Sequence, residues 1–422
     1  MEQALLTGTV STTQLGESIR AEALRIGFDM VGITDVRPSE HAAFYRAWIE
    51  GGRHGTMDYL AREDAVERRL CPDSGFPELK SAVVVALNYH GEAESESVEA
   101  QEGRGVIARY ARGRDYHKVI RKKLLALLEF AEAELGRELP RARAYVDTGP
   151  VLERELAQRA GLGWFGRSTM LVNPRRGSYF FLGSLLLDVE LPADAPFEAD
   201  HCGTCNACVT ACPTGALLGR DDDGAPVIDA TRCISYLTIE NRGPIPRELR
   251  PLIGNRIFGC DICQEVCPFS RKFSTTSSEA AFVSREPGEP PADVERLASD
   301  GWHPGTQAPS LIDLMSMDGA GWEGFSRGSP LRRAGWAGFR RNVAVALGNW
   351  GDEAAVPSLG SGLSDPDPLV RSHSAWALGR VASGAAVAAL VEALGAETDQ
   401  GAIDEIRAAL AAASSTSADA NE

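Results

Sequence analysis

The chain has 422 residues, enough for about three domains that each bury a core of their own. Its 44% hydrophobic and 24% charged residues are those of an ordinary globular protein, which excludes a disordered or membrane-embedded chain. A formal net charge of −16 excludes indiscriminate adhesion to nucleic acid but leaves room for a local basic face.

The N-terminus has no basic segment leading into an apolar run, and the apolar stretch Ser81–Leu87 is too short to span a bilayer, so a cytoplasmic location is expected. Over residues 12–195, helical patterns (Ile19–Ile26, Val119–Leu135) alternate with strand-like runs (Ala82–Leu87, Ala144–Val146, Phe180–Asp188). This predicts one mixed α/β domain in a protein of α+β class. Within it Arg104, Arg109, Arg112, Arg114, Lys118, Arg121, Lys122 and Lys123 form a basic run, readable as a binding face or as a solvated helix face. Residues 196–272 shift to cysteine, glycine and short helical turns, a separate small domain. Residues 273–320 are rich in Ser, Glu and Pro, and Pro290–Pro291 predicts a long connection over the surface. Over 321–411, Ala346-Leu347-Gly348 recurs 31 residues later as Ala377-Leu378-Gly379, with the turn Asp365-Pro366-Asp367-Pro368 between them. That pattern predicts stacked helical hairpins of the HEAT kind. The small, polar tail from Ala412 to Glu422 is expected to fray.

Eight of the nine cysteines crowd between Cys202 and Cys267. In a long chain without an export signal this favours metal ligation over disulfides. Cys202-x2-Cys205-x2-Cys208-x3-Cys212-Pro213 is the bacterial ferredoxin run, in which three thiolates hold one [4Fe–4S] cubane and the fourth reaches a second. Cys260-x2-Cys263-x3-Cys267-Pro268 supplies three of the four positions of a matching run. Cys233, 27 residues earlier, is the nearby thiol able to fill the missing one. Ferredoxin logic then groups Cys202, Cys205, Cys208 and Cys267 on one cluster and Cys212, Cys233, Cys260 and Cys263 on the other. Zinc modules favour two separated C-x2-C pairs instead. Cys71, beside Pro72, is left over as a structural or surface thiol.

Saturated clusters pass single electrons and need a destination. Gly161-Leu162-Gly163-Trp164-Phe165-Gly166 matches the dinucleotide-binding pattern in letters but follows the helical pattern Val151–Ala160 instead of a strand, so the match is treated as accidental.

Asp147-Thr148-Gly149-Pro150, then Gly161–Gly166, then the cysteine runs, with Tyr110-Ala111-Arg112-Gly113-Arg114-Asp115-Tyr116-His117 upstream, together resemble the epoxyqueuosine reductase family over nearly the whole chain. The resemblance implies an enzyme that binds cobalamin in its N-terminal domain beside a two-cluster ferredoxin-like domain. It implies reduction of the epoxide of epoxyqueuosine, at the wobble position of certain tRNAs, to the alkene of queuosine, the last step of queuosine biosynthesis. It also implies Asp147 as proton donor. By sequence alone Asp147 could equally cap a helix starting near Val151. A corrin pocket should offer aromatic faces, amides and a few donors. Candidates are Arg69, Tyr110, Asp147, Trp164, Phe165, Gly166, Arg167, Asn173, Ser178, Phe180, Ser235, Tyr236 and Asp261, although Trp164, Phe165 and Phe180 also read as core. Asp115-Tyr116-His117 lacks the glycine of a D-x-H-x-x-G motif, so no protein histidine is expected on cobalt. For tRNA, Arg242, Arg332, Arg333, Arg340 and Arg341, with Arg371, are the candidate phosphate contacts. A monomer and an external one-electron reductant are expected.

Two other readings compete. A reductive dehalogenase would share the cofactors but has little use for HEAT-like repeats. A plain electron-transfer subunit leaves the domain ahead of the cysteines unexplained.

Overall fold

The computed structural model describes residues 11–91, 101–286 and 305–419. Helix α1 (Thr12–Ile26) starts at a capping box, in which Ser11 Oγ accepts from the Gln14 N–H while the Gln14 side chain accepts from the Ser11 N–H. Its buried Leu15, Ile19 and Ala23 meet Ile120, Leu124, Leu127 and Ala131 of α2 (Tyr116–Leu135), the one-face spacing of two amphipathic helices. Both lie on an antiparallel sheet of β1 (Met30–Asp35), β2 (Ser81–Asn88), β3 (Arg143–Tyr145) and β4 (Phe180–Leu187), in the order β1-β2-β4-β3. In β2, Val83, Val85 and Leu87 face the two helices. Ala82, Val84 and Ala86 face the other side, toward Leu156 and Ala157 of α3 (Glu153–Arg159). Burial on both faces is why β2 reads as a continuous apolar run instead of an alternating one.

The cysteine-rich part is built from short helices and a hairpin, Leu217–Arg220 with Pro226–Ile228, inserted between Cys212 and Cys233. The hairpin explains the divided motif. The Asp229 N–H donates to Ala216 O at 2.8 Å and Arg232 Nε to Thr214 O at 2.8 Å, closing its base and returning Cys233 to the neighbourhood of Cys212. Helix α4 (Ile234–Ile239) follows at once. A short parallel pair, Val106–Ile107 with Arg256–Phe258, stitches this part to the first domain.

The C-terminal helices are α5 (Trp336–Trp350), α6 (Pro368–Val381), α7 (Gly384–Ala396) and α8 (Gln400–Asp419). The repeated Ala-Leu-Gly marks where successive helices touch: a Cβ on Gly348 would come within 2.7 Å of Trp376 and 2.8 Å of Ala377, and one on Gly379 within 2.7 Å of Ala409.

Two expectations are corrected. Within the supposed surface connection, Pro290 and Pro291 lie outside the described residues, but Leu311–Ser316 is a helix capped by Ser310. Its Leu311, Leu314 and Met315 are fully buried in a core with Phe339 and Val343 of α5 and with Ile107, Ile239 and Phe258, so the repeats and the cysteine-rich part share one core. The tail does not fray from Ala412, because α8 runs on to Asp419 with Ala413 buried. Among the described residues no helix is long and apolar enough to cross a membrane.

Candidate active site

The eight thiols fall into two neighbourhoods. Cys208 is buried enough, and close enough to Cys202 and Cys267, to have its thiol pushed up to about 11. Burial likewise raises Cys233, where Cys212 adds to it, and Cys260, pushed up to about 12 with Cys233 contributing. Cys263 is raised by burial and then by Cys260, Cys233 and Cys208, so it stands between the two groups. The donor set suits cubanes. The Trp164 Nε1–H points at Cys202 Sγ at 3.4 Å, and the Ala216 N–H at Cys212 Sγ at 3.3 Å, as thiolates of iron–sulfur clusters require.

Asp147 follows β3 in a left-handed backbone conformation, φ 60°, uncommon outside glycine, which aspartate tolerates better than most residues and which its surroundings constrain here. The constraint is visible. Its N–H donates to both Glu153 carboxylate oxygens at 2.8 and 3.0 Å, and Gly149 lies so tightly under the Tyr145 ring that a Cβ would come within 2.4 Å of it. The Asp147 side chain does not cap α3, whose first turn has no side-chain cap. Instead Oδ2 accepts from the Tyr116 hydroxyl at 2.6 Å and stands 3.7 Å from His117 Nε2, while Asp115 Oδ1 lies 2.8 Å from His117 Nδ1.

Asp147 is 66% exposed, yet protein surrounds it, so it lines a deep recess that water enters. Burial alone would raise its pKa; the nearby His117, the hydrogen bond from Tyr116 and the Arg154 charge outweigh that and hold it below the ordinary carboxylate range. Burial pulls His117 down, but Asp115 and Asp147 prevail and raise it to about 9. Burial, then the Asp147 charge, pushes Glu153 up to about 8. Arg154, bonded to Thr169 O, is close enough to feel Asp147, Glu153 and Cys263. Tyr110 feels Asp147 and Asp261. Arg154 thus stands near both Asp147 and the neighbourhood of Cys263. At the other side of the recess Tyr59 lies under the Arg333 guanidinium, which Glu240 grips with two 2.8 Å bonds.

The structure separates the other candidates. Tyr110 faces the recess, packed on Tyr116, Phe181 and Phe258. Trp164, Gly166 and Arg167 line a hollow with Cys202, Cys205, Cys208, Cys263 and Cys267, and Arg167 also donates to Gly203 O. Phe165 sits edge-on to His41, and Phe180 is core. Asn173 and Ser178 hold the turn before β4 through Leu162 O and Ser270 Oγ. Arg69 lines a small hollow with Ser39, Pro72 and Val151 and donates to Tyr59 O and Ala65 O. Ser235 is half-buried in α4, and Tyr236 beside it receives the Thr56 N–H on its hydroxyl. Asp261 is buried and accepts the Arg109 N–H. Of the arginines proposed for RNA, Arg341 is corrected outright: it is 1% exposed, and its guanidinium is spent on the carbonyls of Leu237, Asn241 and Gly243. Arg340 is locked to Asp365 and Arg371 to Glu397. Arg332 pairs with Glu323, Arg333 with Glu240, and Arg242 donates to Ala334 O from an exposed loop.

Residues 69–148 match the family described as epoxyqueuosine reductase QueG, residues 201–270 a 4Fe-4S double cluster binding domain, and residues 331–411 HEAT repeats. The epoxyqueuosine reductase of Pseudomonas aeruginosa is 41% identical over 370 residues, 87% of this chain and 94% of that protein. The chain belongs to the epoxyqueuosine reductase family. Two solved epoxyqueuosine reductases superpose over nearly all of it. One, bound to an epoxyqueuosine-modified tRNA-Tyr stem loop, has a TM-score of 0.80 at 29% identity and covers 96% of this chain and 100% of its own. The other, from Bacillus subtilis with its catalytic aspartate loop swung out of the active site, has a TM-score of 0.77 at 29% identity, covering 95% and 100%. In this epoxyqueuosine reductase family member, sequence reasoning missed Tyr59, His117, Glu153 and Arg154. Only His117 carried a signal, as the end of the matched run Tyr110–His117.

Proposed function

We propose that this chain reduces epoxyqueuosine in the anticodon loop of tRNA to queuosine, with two [4Fe–4S] clusters and cobalamin as its cofactors and Asp147 as the group that protonates the departing oxygen. The observation that carries the reading is Asp147 itself, held in a left-handed turn by Glu153 and flanked by Tyr116 and His117, with Arg154 near both it and Cys263. Cys202, Cys205, Cys208 and Cys267 would hold one cluster and Cys212, Cys233, Cys260 and Cys263 the other, and the clusters with a bound cobalamin would provide the two electrons that removal of the epoxide oxygen requires. A corrin placed beside Asp147 would find the Tyr110 ring and the Arg154 donor near it, and the one histidine named there already faces Asp115 and Asp147.

The chain's own residues do the rest. Tyr116, a neutral hydroxyl because burial and Asp147 raise its pKa, orients the carboxylate. Glu153 fixes the backbone of Asp147 so that its oxygens face the recess. Tyr59, Arg333 and Glu240 stand at the side where a nucleotide would enter, and the exposed Arg242 and Arg332 are the charges best placed for RNA phosphates. A cytoplasmic monomer fed by an external one-electron reductant completes the proposal.

The test is anaerobic conversion of an epoxyqueuosine-containing stem loop by fully loaded protein, read by nucleoside mass spectrometry. Wild type should form queuosine. Asp147→Ser, with iron and corrin content unchanged, should lose at least about 100-fold in rate; near-normal turnover would sink the assignment of Asp147.

A further inference from the structure

This inference rests on the proposed reaction and deepens its proton chemistry. Taking an epoxide oxygen out as water breaks two C–O bonds, forms one C=C bond, and consumes two electrons and two protons. A carboxyl group delivers one proton at a time, and Asp147 is held as a carboxylate at rest, so it must be loaded from a neighbour before each delivery.

The neighbour is built into the start of α2. Asp115 caps that helix by accepting the His117 N–H at 3.1 Å, and the same Oδ1 lies 2.8 Å from His117 Nδ1. The imidazole is stacked on the Tyr116 ring, centroids 4.0 Å apart, and Tyr116 is itself bonded to Asp147 Oδ2. Together these fix the ring with Nδ1–H on Asp115 and Nε2 toward Asp147 Oδ2, at 3.7 Å, a separation of the kind that tightens when substrate closes a site. The other charged groups around it do different work. Glu153 and Arg154, on α3, hold the Asp147 backbone and the Thr169 carbonyl, and Lys118, on the same helix as His117, acts on Asp115.

We propose that His117 is the proton relay of this site, passing a proton from Nε2 to the Asp147 carboxylate, which hands it to the departing oxygen. In each pass the Nε2–H bond breaks as an Asp147 O–H bond forms, and that bond breaks as the substrate oxygen gains its hydrogen. Two passes make water. The electron pair comes from the reduced cofactors that the proposed activity already requires. Between passes the imidazole regains a proton from solvent, which reaches a side chain 33% exposed. Its raised pKa keeps it charged through neutral pH.

The experiment compares wild type, His117→Gln and His117→Ala as fully loaded protein in single turnovers on the modified stem loop. Wild type establishes the reaction, and its failure would overturn the activity reading, not the relay. At pH 7 both variants should be slower by about 100-fold or more, and added imidazole should restore His117→Ala in proportion to the imidazolium present. A His117→Gln rate within roughly threefold of wild type, or a slow His117→Ala that imidazole does not restore, would overturn the relay. An independent readout is histidine NMR of the labelled protein. The resonance absent from His117→Gln should titrate near pH 9 and move toward the ordinary imidazole value in Asp147→Asn. A resonance indifferent to Asp147 would also reject the proposal.

Discussion

The Arg341 guanidinium of the first repeat helix donates to the carbonyl of Leu237 at 2.6 Å, in the helix that begins directly after Cys233. Further bonds to Asn241 O and Gly243 O, at 2.8 and 2.7 Å, make this buried cation a plug for carbonyls that the end of α4 leaves open. The repeats therefore buttress the helix that follows Cys233 as well as extending the chain. Arg341→Met would take the donor from the Leu237 and Asn241 carbonyls and leave Gly243 O only the Asn241 side-chain amide. It should cost about 3 kcal/mol in urea unfolding, with loss of iron from the purified protein. Unchanged stability with full iron would show that the carbonyls find other donors.

Tyr116→Phe removes the hydroxyl from Asp147 Oδ2 and leaves the ring packed on Phe181. A hydrogen bond to a charged group is worth about 1.5–3 kcal/mol, so turnover should fall on the order of tenfold. The carboxylate should also titrate at higher pH, moving the acid side of the rate profile upward. A pH–rate profile of the variant measures both.

Trp164→Phe keeps the stacking on Phe197 and Phe269 but deletes the N–H aimed at Cys202 Sγ. Losing a donor to a ligand sulfur destabilises the more negative, reduced cluster. The midpoint of one cluster should therefore fall by tens of millivolts in an EPR-monitored titration while the other stays in place. Movement of both would mean that Trp164 acts on the whole domain.

His117 also enters the pH dependence of stability. Its folded pKa, about 9, lies above the ordinary imidazole value, so the stabilisation it gives through Asp115 and Asp147 is complete below about pH 6.5 and is lost as pH rises through 9. The difference in melting temperature between wild type and His117→Gln should shrink over that window. A difference that grew with pH would reverse the sign of the assignment.

The parts of this protein that are legible in its sequence are those whose geometry is local. The spacing Cys202-x2-Cys205-x2-Cys208-x3-Cys212-Pro213 sets four thiols within a few turns of chain, and the Ala-Leu-Gly repeat encodes the contact points of adjacent helices, so the double-cluster domain and the repeats can be read from letters. The apolar runs of β2 and β4 and the periodicity of α1 and α2 are similarly local.

What folding alone decided lies in pairs distant in sequence. Arg341 and Arg332 look alike in a basic run, but α5 packs against α4, which leaves one with no water and the other on the surface. Trp164 reads as an aromatic for any apolar disc until packing turns its N–H onto a thiol 38 residues away. Asp147 is open between capping and acid chemistry as a letter, because the partners that orient its carboxylate, Tyr116 and His117, sit on α2, with Tyr116 31 residues upstream. A side chain's partners follow from which faces are buried together, and that is settled by the whole core, not by its neighbours in the chain.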